Sequence, residues 1–186
     1  LATPALPTAD ILEPLSSRTS SMLREIPYGS STLVYLGYRA DEFSHPLDGF
    51  GFIVPSSEKL TISACTWVNS KFDHRVPEES VLLRAAVHGN GGASADQLAE
   101  RAHDEVSRIM EFECQPVFHR SYRVEQTQPK LLVGHQKRLS QIKQELSRRP
   151  GIRLAGSYLG GVGIPDCIQT GKRAGESIVE EILNSQ

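Results

Sequence analysis

The sequence predicts a mixed α+β fold: a largely antiparallel sheet with helices, plus pieces of a second, α/β-type domain at the two ends. Three observations predict it. Four β-rich runs follow one another between residues 32 and 87 through short connections, which makes neighbours antiparallel. Helical patterns then alternate with one further strand up to Arg149. From Gly151 the pattern changes to a single strand, a glycine-rich turn and a helix. The expected boundaries are a first terminal piece over 1–19, a middle domain over 20–150 and a second terminal piece over 151–186.

Taken in order, Leu1 to Pro7 reads as the end of a strand running into a turn. Thr8 is a candidate cap for a short helix over Ala9 to Leu12, limited by Pro14. The Ser-rich run Ser16 to Ser21 leads into a helical turn or two over Met22 to Ile26, and Pro27-Tyr28-Gly29 breaks it. Strands are expected at 32–38, 50–54, 60–68 and 81–87, on β-branched and aromatic content. In the third, Leu60, Ile62, Ala64, Thr66 and Val68 share one face, and Thr61, Ser63, Cys65 and Trp67 the other. Gly89 to Gly92 reads as a loop. Ser94 and Gln97 match a capping box, opening a helix to about Met110 with Leu98, Ala102, Val106, Ile109 and Met110 inward. A fifth strand is expected at 116–124 and a loop at 129–135. The next helix has the stripe Leu139, Ile142 and Leu146 and is stopped by Pro150-Gly151.

Composition narrows the classes. The chain has 186 residues, 39% hydrophobic and 23% charged, ordinary for a globular protein of one to one-and-a-half domains. A net charge of -2 leaves no electrostatic footprint for nucleic acid, and none is expected as a partner. No apolar run reaches the roughly 18 residues of a membrane helix. Cys65, Cys114 and Cys167 are few and scattered, and the six histidines form no HxxxH or HExxH pattern. No disulfide framework and no metal site are therefore expected, and a reducing, cytoplasmic setting is. The chain starts at Leu1 as if leaving a strand already under way, which reads as a fragment of a longer protein.

The stretch with most chemical character is Gly151 to Ile168. Ile152 and Leu154 alternate with Arg153. Gly160, Gly161 and Gly163 then form a turn that admits close approach, and Pro165 suits a first helical turn. Ile164, Ile168, Gly171, Gly175, Ile178 and Ile182 recur at helical spacing, the inner face of a helix packed closely on a sheet. Free N–H groups at such a helix start attract an electronegative group: a phosphate, a carboxylate or a ring carbonyl that gains charge. A plain β–α packing unit accounts for the same pattern.

Four segments, in order, carry a resemblance over essentially the whole chain. They are Gly49 to Lys59 (GFGFIVPSSEK), Thr61 to Phe72 (TISACTWVNSKF), Val133-Gly134-His135, and Gly151 to Lys172 (GIRLAGSYLGGVGIPDCIQTGK). Together the chain resembles the C-terminal part, under half, of the FAD-dependent protoporphyrinogen oxidases, within the amine-oxidase-like flavoproteins. It is most similar to the Gram-positive type, which prefers coproporphyrinogen III. The resemblance implies that the terminal pieces belong to an FAD-binding, glutathione-reductase-like domain and that 20–150 is a substrate-binding domain. It implies a haem-synthesis reaction in which flavin takes hydrides from a porphyrinogen and molecular oxygen reoxidises it to hydrogen peroxide, six electrons in three rounds.

The resemblance places Gly160, Gly161, Val162 and Gly163 at the isoalloxazine ring. N–H groups at the helix start would stabilise negative charge on the reduced ring. No GxGxxG with a trailing acidic residue occurs, so most of the FAD site is expected outside these residues and the chain alone is expected to be inactive. Val124 and Pro129-Lys130-Leu131 depart from the family wording, so no flavin contact is expected there. A peripheral membrane contact and a homo-oligomer are further options for the full protein.

Phe72, Phe52, Ile53 and Val54 are the candidates for the macrocycle site, because a broad apolar substrate needs aliphatic and aromatic walls. Strand-core packing explains them too, and Trp67 reads as packing. Arg39, Lys71 and Arg84 could meet propionates or could be solvated charges. His135 could organise a helix start. Cys65 and Cys167 read as buried small residues and Asp166 as a helix-dipole complement. No residue stands out as a catalytic base. The other readings are a polyamine oxidase or carotenoid desaturase, and a non-catalytic substrate-domain fragment.

Overall fold

Val34, Leu36 and Tyr38 are fully buried while Leu33 and Tyr35 are not, so β1 (Tyr28–Arg39) turns one face to a core. β4 (Ser80–Val87) alternates in the same way, with Val81, Leu83, Ala85 and Val87 inward. The two pair antiparallel with Leu36 opposite Leu83. β3 (Ile62–Trp67) pairs with β4, and the short β2 (Gly51–Ile53) with β3, both antiparallel. β5 (Phe118–Pro129) completes a five-stranded sheet of order β2-β3-β4-β1-β5. The computed structural model describes residues 1–87 and 93–184, so the loop expected at Gly89 to Gly92 lies outside the described residues. The fold is mixed, one antiparallel sheet and six helices among those residues.

The chain divides into two units, residues 30–125 and residues 1–29 with 126–186. The sequence reading puts its divisions at 19/20 and 150/151. In unit 30–125, α4 (Ala95–Met110) covers one face of the sheet. Its capping box is present: the Ser94 hydroxyl accepts the Gln97 N–H at 3.2 Å, and the Gln97 side chain accepts the Ser94 N–H at 2.9 Å. Leu98, Ala99, Ala102, Val106 and Met110 share a core with Val34, Leu36, Leu83 and Ala85. Ile109 is exposed, contrary to expectation, because the buried arc runs through Ala99 and His103 and leaves it at the margin. Tyr38, Phe43 and Phe112 close this core, with ring centroids 4.5 to 5.2 Å apart. The Tyr38 hydroxyl bonds His103 Nδ1 at 3.1 Å. Gly37 is needed where the Phe118 ring crosses it, since a Cβ there would lie 2.0 Å from the ring.

β3 departs from strict alternation. Ile62 faces Val87 and Ala64 faces Ala86, so one extra residue, Ser63, is bulged out. The buried residues are therefore Ile62, Cys65 and Trp67, which corrects the faces expected from alternation. Just before the bulge, Glu105 of α4 accepts two backbone N–H groups: Thr61 N–H at 2.8 Å and Ile62 N–H at 2.9 Å.

In the other unit, α1 (Ala5–Leu12) starts after Pro4, four residues earlier than expected. Pro7 lies in the first turn, where a missing N–H costs nothing, and Thr8 is a buried helix residue bonded to Thr3 rather than a cap. α2 (Ser17–Arg24) is capped by Ser16, so it includes the Ser-rich run expected only to precede it. Ala5, Ala9, Leu12 and Leu23 pack with Ile142 and Leu146 of α5 (His135–Leu146) and with Tyr158. Ile152 to Leu154 is no strand; it is extended chain tied to Leu1 by the Ala155 N–H to the Leu1 carbonyl and the Leu1 amine to the Arg153 carbonyl, both 2.8 Å. α6 (Ile164–Leu183) buries none of its residues: Ile164, Ile168 and Ile182 are exposed, and Gly171 and Gly175 have nothing near a built Cβ. Of the expected inner face, Ile178 alone among the isoleucines is half-buried. No helix among them is long and apolar enough to cross a membrane.

Two predictions follow from these contacts. Glu105→Ala leaves the Thr61 and Ile62 N–H groups unpaired and should lower unfolding stability by about 1–3 kcal/mol; Ile53→Ser, at an exposed site, should leave it unchanged. Urea unfolding of both variants checks this. Burial lowers the pKa of His103, outweighing Asp104 and the Gln115 bond, which raise it. The unfolded chain then takes up the proton first, so stability is full above the ordinary histidine value of about 6.5. It declines as pH falls from there through the depressed folded value. His103→Gln should flatten that decline, read from urea midpoints at about pH 7.5 and about pH 5.

Candidate functional site

An antiparallel sheet covered on one side presents its other side row by row. Here the row is set by register. Thr66 on β3 lies opposite Arg84 on β4, and Arg84 lies opposite Tyr35 on β1. All three are half-buried and stand on the face away from α4. The Arg84 guanidinium donates to the Thr66 hydroxyl at 3.2 Å. Tyr35 meets Tyr122 of β5 edge to face, centroids 5.8 Å apart. At the end of this face α3 (Val68–Lys71) turns the chain, and Phe72 follows it. A cleft of about 300 Å³ is lined by Tyr35, Val68, Phe72, Arg75, Leu82 and Arg84.

The charges in and around this cleft differ in kind. Arg39 is engaged by Asp41 at 2.7 Å and Glu42 at 3.2 Å, and the Arg39 bond holds the Asp41 carboxyl below its ordinary pKa. Lys71 lies over the Phe72 ring, 5.7 Å from its centroid. Among the described residues no carboxylate pairs with Arg84 or Arg75. The arrangement is an aromatic and aliphatic surface with an oriented guanidinium at its middle, suited to a broad ligand with an anionic edge. Of the residues expected in a macrocycle site, Phe72 lines the cleft. Ile53 sits on the edge strand β2, exposed, and Phe52 and Val54 pack against the core; none of the three lines the cleft. Thr66 and Tyr35 were missed by sequence reasoning, because only the register shows that they flank Arg84, and Arg75 was missed because it comes to the cleft from the loop between α3 and β4.

Burial pushes the Cys65 thiol up to about 12, so it is an inert core group. Trp67 is likewise buried. Among the described residues no group of three or more His, Cys, Asp or Glu could hold a metal.

The glycine turn belongs to the unit of residues 1–29 and 126–186. Gly160, Gly161, Val162 and Gly163 connect a 3-10 turn at Ser157–Leu159 to α6. Asp166 occupies part of the helix start: its carboxylate accepts the Gly163 N–H at 3.2 Å. A Cβ on Gly161 would lie 2.3 Å from that carboxylate, so Gly161 is explained by the chain itself. Gly160 is not: its φ is -178°, open to any residue, and a Cβ would meet nothing within 4 Å. The exposed backbone at Gly160 and the half-exposed Val162 fit a flat ring laid against the chain. His135 is buried and donates from Nε2 to the Tyr158 carbonyl at 2.7 Å, fixing the start of α5 to the turn that precedes Gly160.

Residues 3–179 match the family described as flavin-containing amine oxidoreductase. The chain belongs to that family. It is 32% identical over 160 residues to the coproporphyrinogen III oxidase of Bacillus subtilis (strain 168), covering 83% of this chain and 34% of the relative. It is 31% identical over 155 residues to that of Staphylococcus aureus, covering 80% of this chain and 33% of the relative. A solved structure from Exiguobacterium sp. 255-15, described as of protoporphyrinogen oxidase type, superposes with a TM-score of 0.77 at 29% identity, covering 98% of this chain and 40% of that one. The chain thus spans about a third of the curated relatives it matches. The family's cofactor is a flavin.

The two glycines separate structure from approach. Gly161→Ala must displace Asp166 and lose its bond to Gly163, costing about 1 kcal/mol; Gly160→Ala should leave stability unchanged. Thermal and urea unfolding of the pair checks this.

Proposed function

We propose that this chain is the C-terminal part of an FAD-dependent, oxygen-using oxidase of haem synthesis that converts coproporphyrinogen III, or protoporphyrinogen IX, to the porphyrin. The observation that carries the reading is the likeness to oxidases of that name over four fifths of the chain. The open sheet face agrees with it, since a porphyrinogen is broad, apolar and edged with carboxylates. In this reading the terminal segments belong to the FAD-binding domain, and the sheet with α4 belongs to the substrate domain.

FAD, when bound, supplies the hydride acceptor and passes the electrons to oxygen. The chain's own contribution is positional and electrostatic. Gly160 lets the backbone come close to the ring without a side chain between. The α6 N-terminus turns its dipole toward the same place, so negative charge gathered there is favoured. Asp166 moderates this by bringing a carboxylate to the first turn. Tyr35, Phe72 and Leu82 offer the macrocycle an apolar bed. No side chain in the cleft has the placement of a general base, and solvent takes the protons released with each hydride. The enzyme works in the cytoplasm, with peripheral membrane contact as a property of the whole protein.

The test uses the full-length protein. It should purify yellow and raise porphyrin fluorescence from coproporphyrinogen III, with a slower gain from protoporphyrinogen IX. No gain from either substrate would sink the proposal, and comparable oxidation of a polyamine would move it to the amine-oxidising branch. Titrated with FAD, these 186 residues alone should bind weakly, because the dinucleotide fingerprint is not among them.

A further inference from the structure

We propose that Arg84 is the carboxylate-binding residue of the sheet face and sets the preference for the more heavily carboxylated porphyrinogen. This rests on the function proposed above. A guanidinium without a carboxylate partner in a half-buried cleft is costly to leave unmatched, because it loses solvent without gaining a counter-charge. Arg84 is in that position. Its neighbours across the sheet are Thr66 and Tyr35, and the cleft around it is otherwise Val68, Phe72 and Leu82, with Arg75 at the rim.

The Thr66 bond of 3.2 Å uses one terminal nitrogen as donor. That contact holds the plane of the guanidinium and leaves its other N–H groups for a ligand. A planar fork fixed in this way matches the two oxygens of a carboxylate. Beyond this cross-strand bond the fold makes little use of Arg84: β4 is anchored by its other face, where Leu83 and Ala85 are buried, and among the described residues Arg84 forms no ion pair. The other cations nearby are less suited. Arg39 is neutralised by Asp41 and Glu42, and Lys71 carries a point charge over the Phe72 ring.

The substrate identified by this chemistry is a flat apolar macrocycle with a carboxylate on a short flexible arm. Coproporphyrinogen III carries four such arms and protoporphyrinogen IX two. A carboxylate therefore reaches Arg84 in more orientations of the first, which lowers its KM relative to the second. The interaction is the same in ground and transition states, so it acts on KM rather than kcat.

The test is steady-state kinetics of the full-length protein and its Arg84→Met variant on both porphyrinogens and on the tetramethyl ester of coproporphyrinogen III. In Arg84→Met, KM for coproporphyrinogen III should rise about tenfold with kcat within about twofold of wild type. The increase for protoporphyrinogen IX should be smaller, and for the ester absent. Arg84→Lys should recover part of the affinity, as a point charge replaces a fork. Thr66→Val, which frees the guanidinium without removing it, should raise KM by about threefold; it serves in place of Arg84→Met if that variant does not fold. A wild-type enzyme that oxidises neither porphyrinogen overturns the function and this assignment with it. A wild-type enzyme that oxidises both, with Arg84→Met unchanged in KM or equally weakened on acid and ester, overturns the assignment alone.

Discussion

The two hydrogen bonds that the Thr61 and Ile62 N–H groups donate to the Glu105 carboxylate fix which side of β3 faces which way. A strand's side chains alternate, so one extra residue exchanges the faces of everything after it. Ser63 is that residue. Before it Ile62 points to the core; after it Cys65 and Trp67 do, and Thr66 points to the open side. Without the bulge, Thr66 would be under α4 and Cys65 and Trp67 would lie beside Arg84. The carboxylate that pins the bulge comes from α4, the helix that covers the core face. Core packing and the composition of the open face are thus set by the same contact.

An antiparallel sheet with one covered face needs a reason for the polarity of the other. A solvated face is usually polar throughout, whereas this one carries Tyr35, Phe72, Leu82 and Tyr122 around the oriented guanidinium of Arg84, with Arg75 beside it. That mixture suits a surface that is wet when empty and apolar when occupied. The glycine turn follows the same logic on a smaller scale. Gly161 answers to Asp166 inside the chain, while a Cβ at Gly160 would meet nothing within 4 Å.

Much of this was legible in the sequence for identifiable reasons. The α4 capping box is a local pattern with a local mechanism, and Ser94 and Gln97 form it as written. The strands centred on Val34 and Leu83 alternate cleanly, so their inward faces could be read. The faces of β3 could not, because a bulge is stabilised by Glu105, more than forty residues further on. The start of α1 was misplaced because Pro7 looks like a breaker, whereas in a first turn it is tolerated. The stripe on α6 was read correctly as apolar and helical, and its expected burial failed because periodicity specifies a face and not a partner. At the site, Phe72 could be singled out as a residue following a strand. The juxtaposition of Thr66, Arg84 and Tyr35 could not, since register belongs to the sheet and not to any one segment.

The account stands or falls on where the macrocycle sits. A crystal structure of the full-length protein with coproporphyrin III tests this most directly. The account predicts the ring on the face formed by β1, β3 and β4, against Tyr35 and Phe72, with a propionate oxygen within hydrogen-bond distance of the Arg84 guanidinium. A macrocycle bound away from that face, with Arg84 directed to solvent, would contradict it.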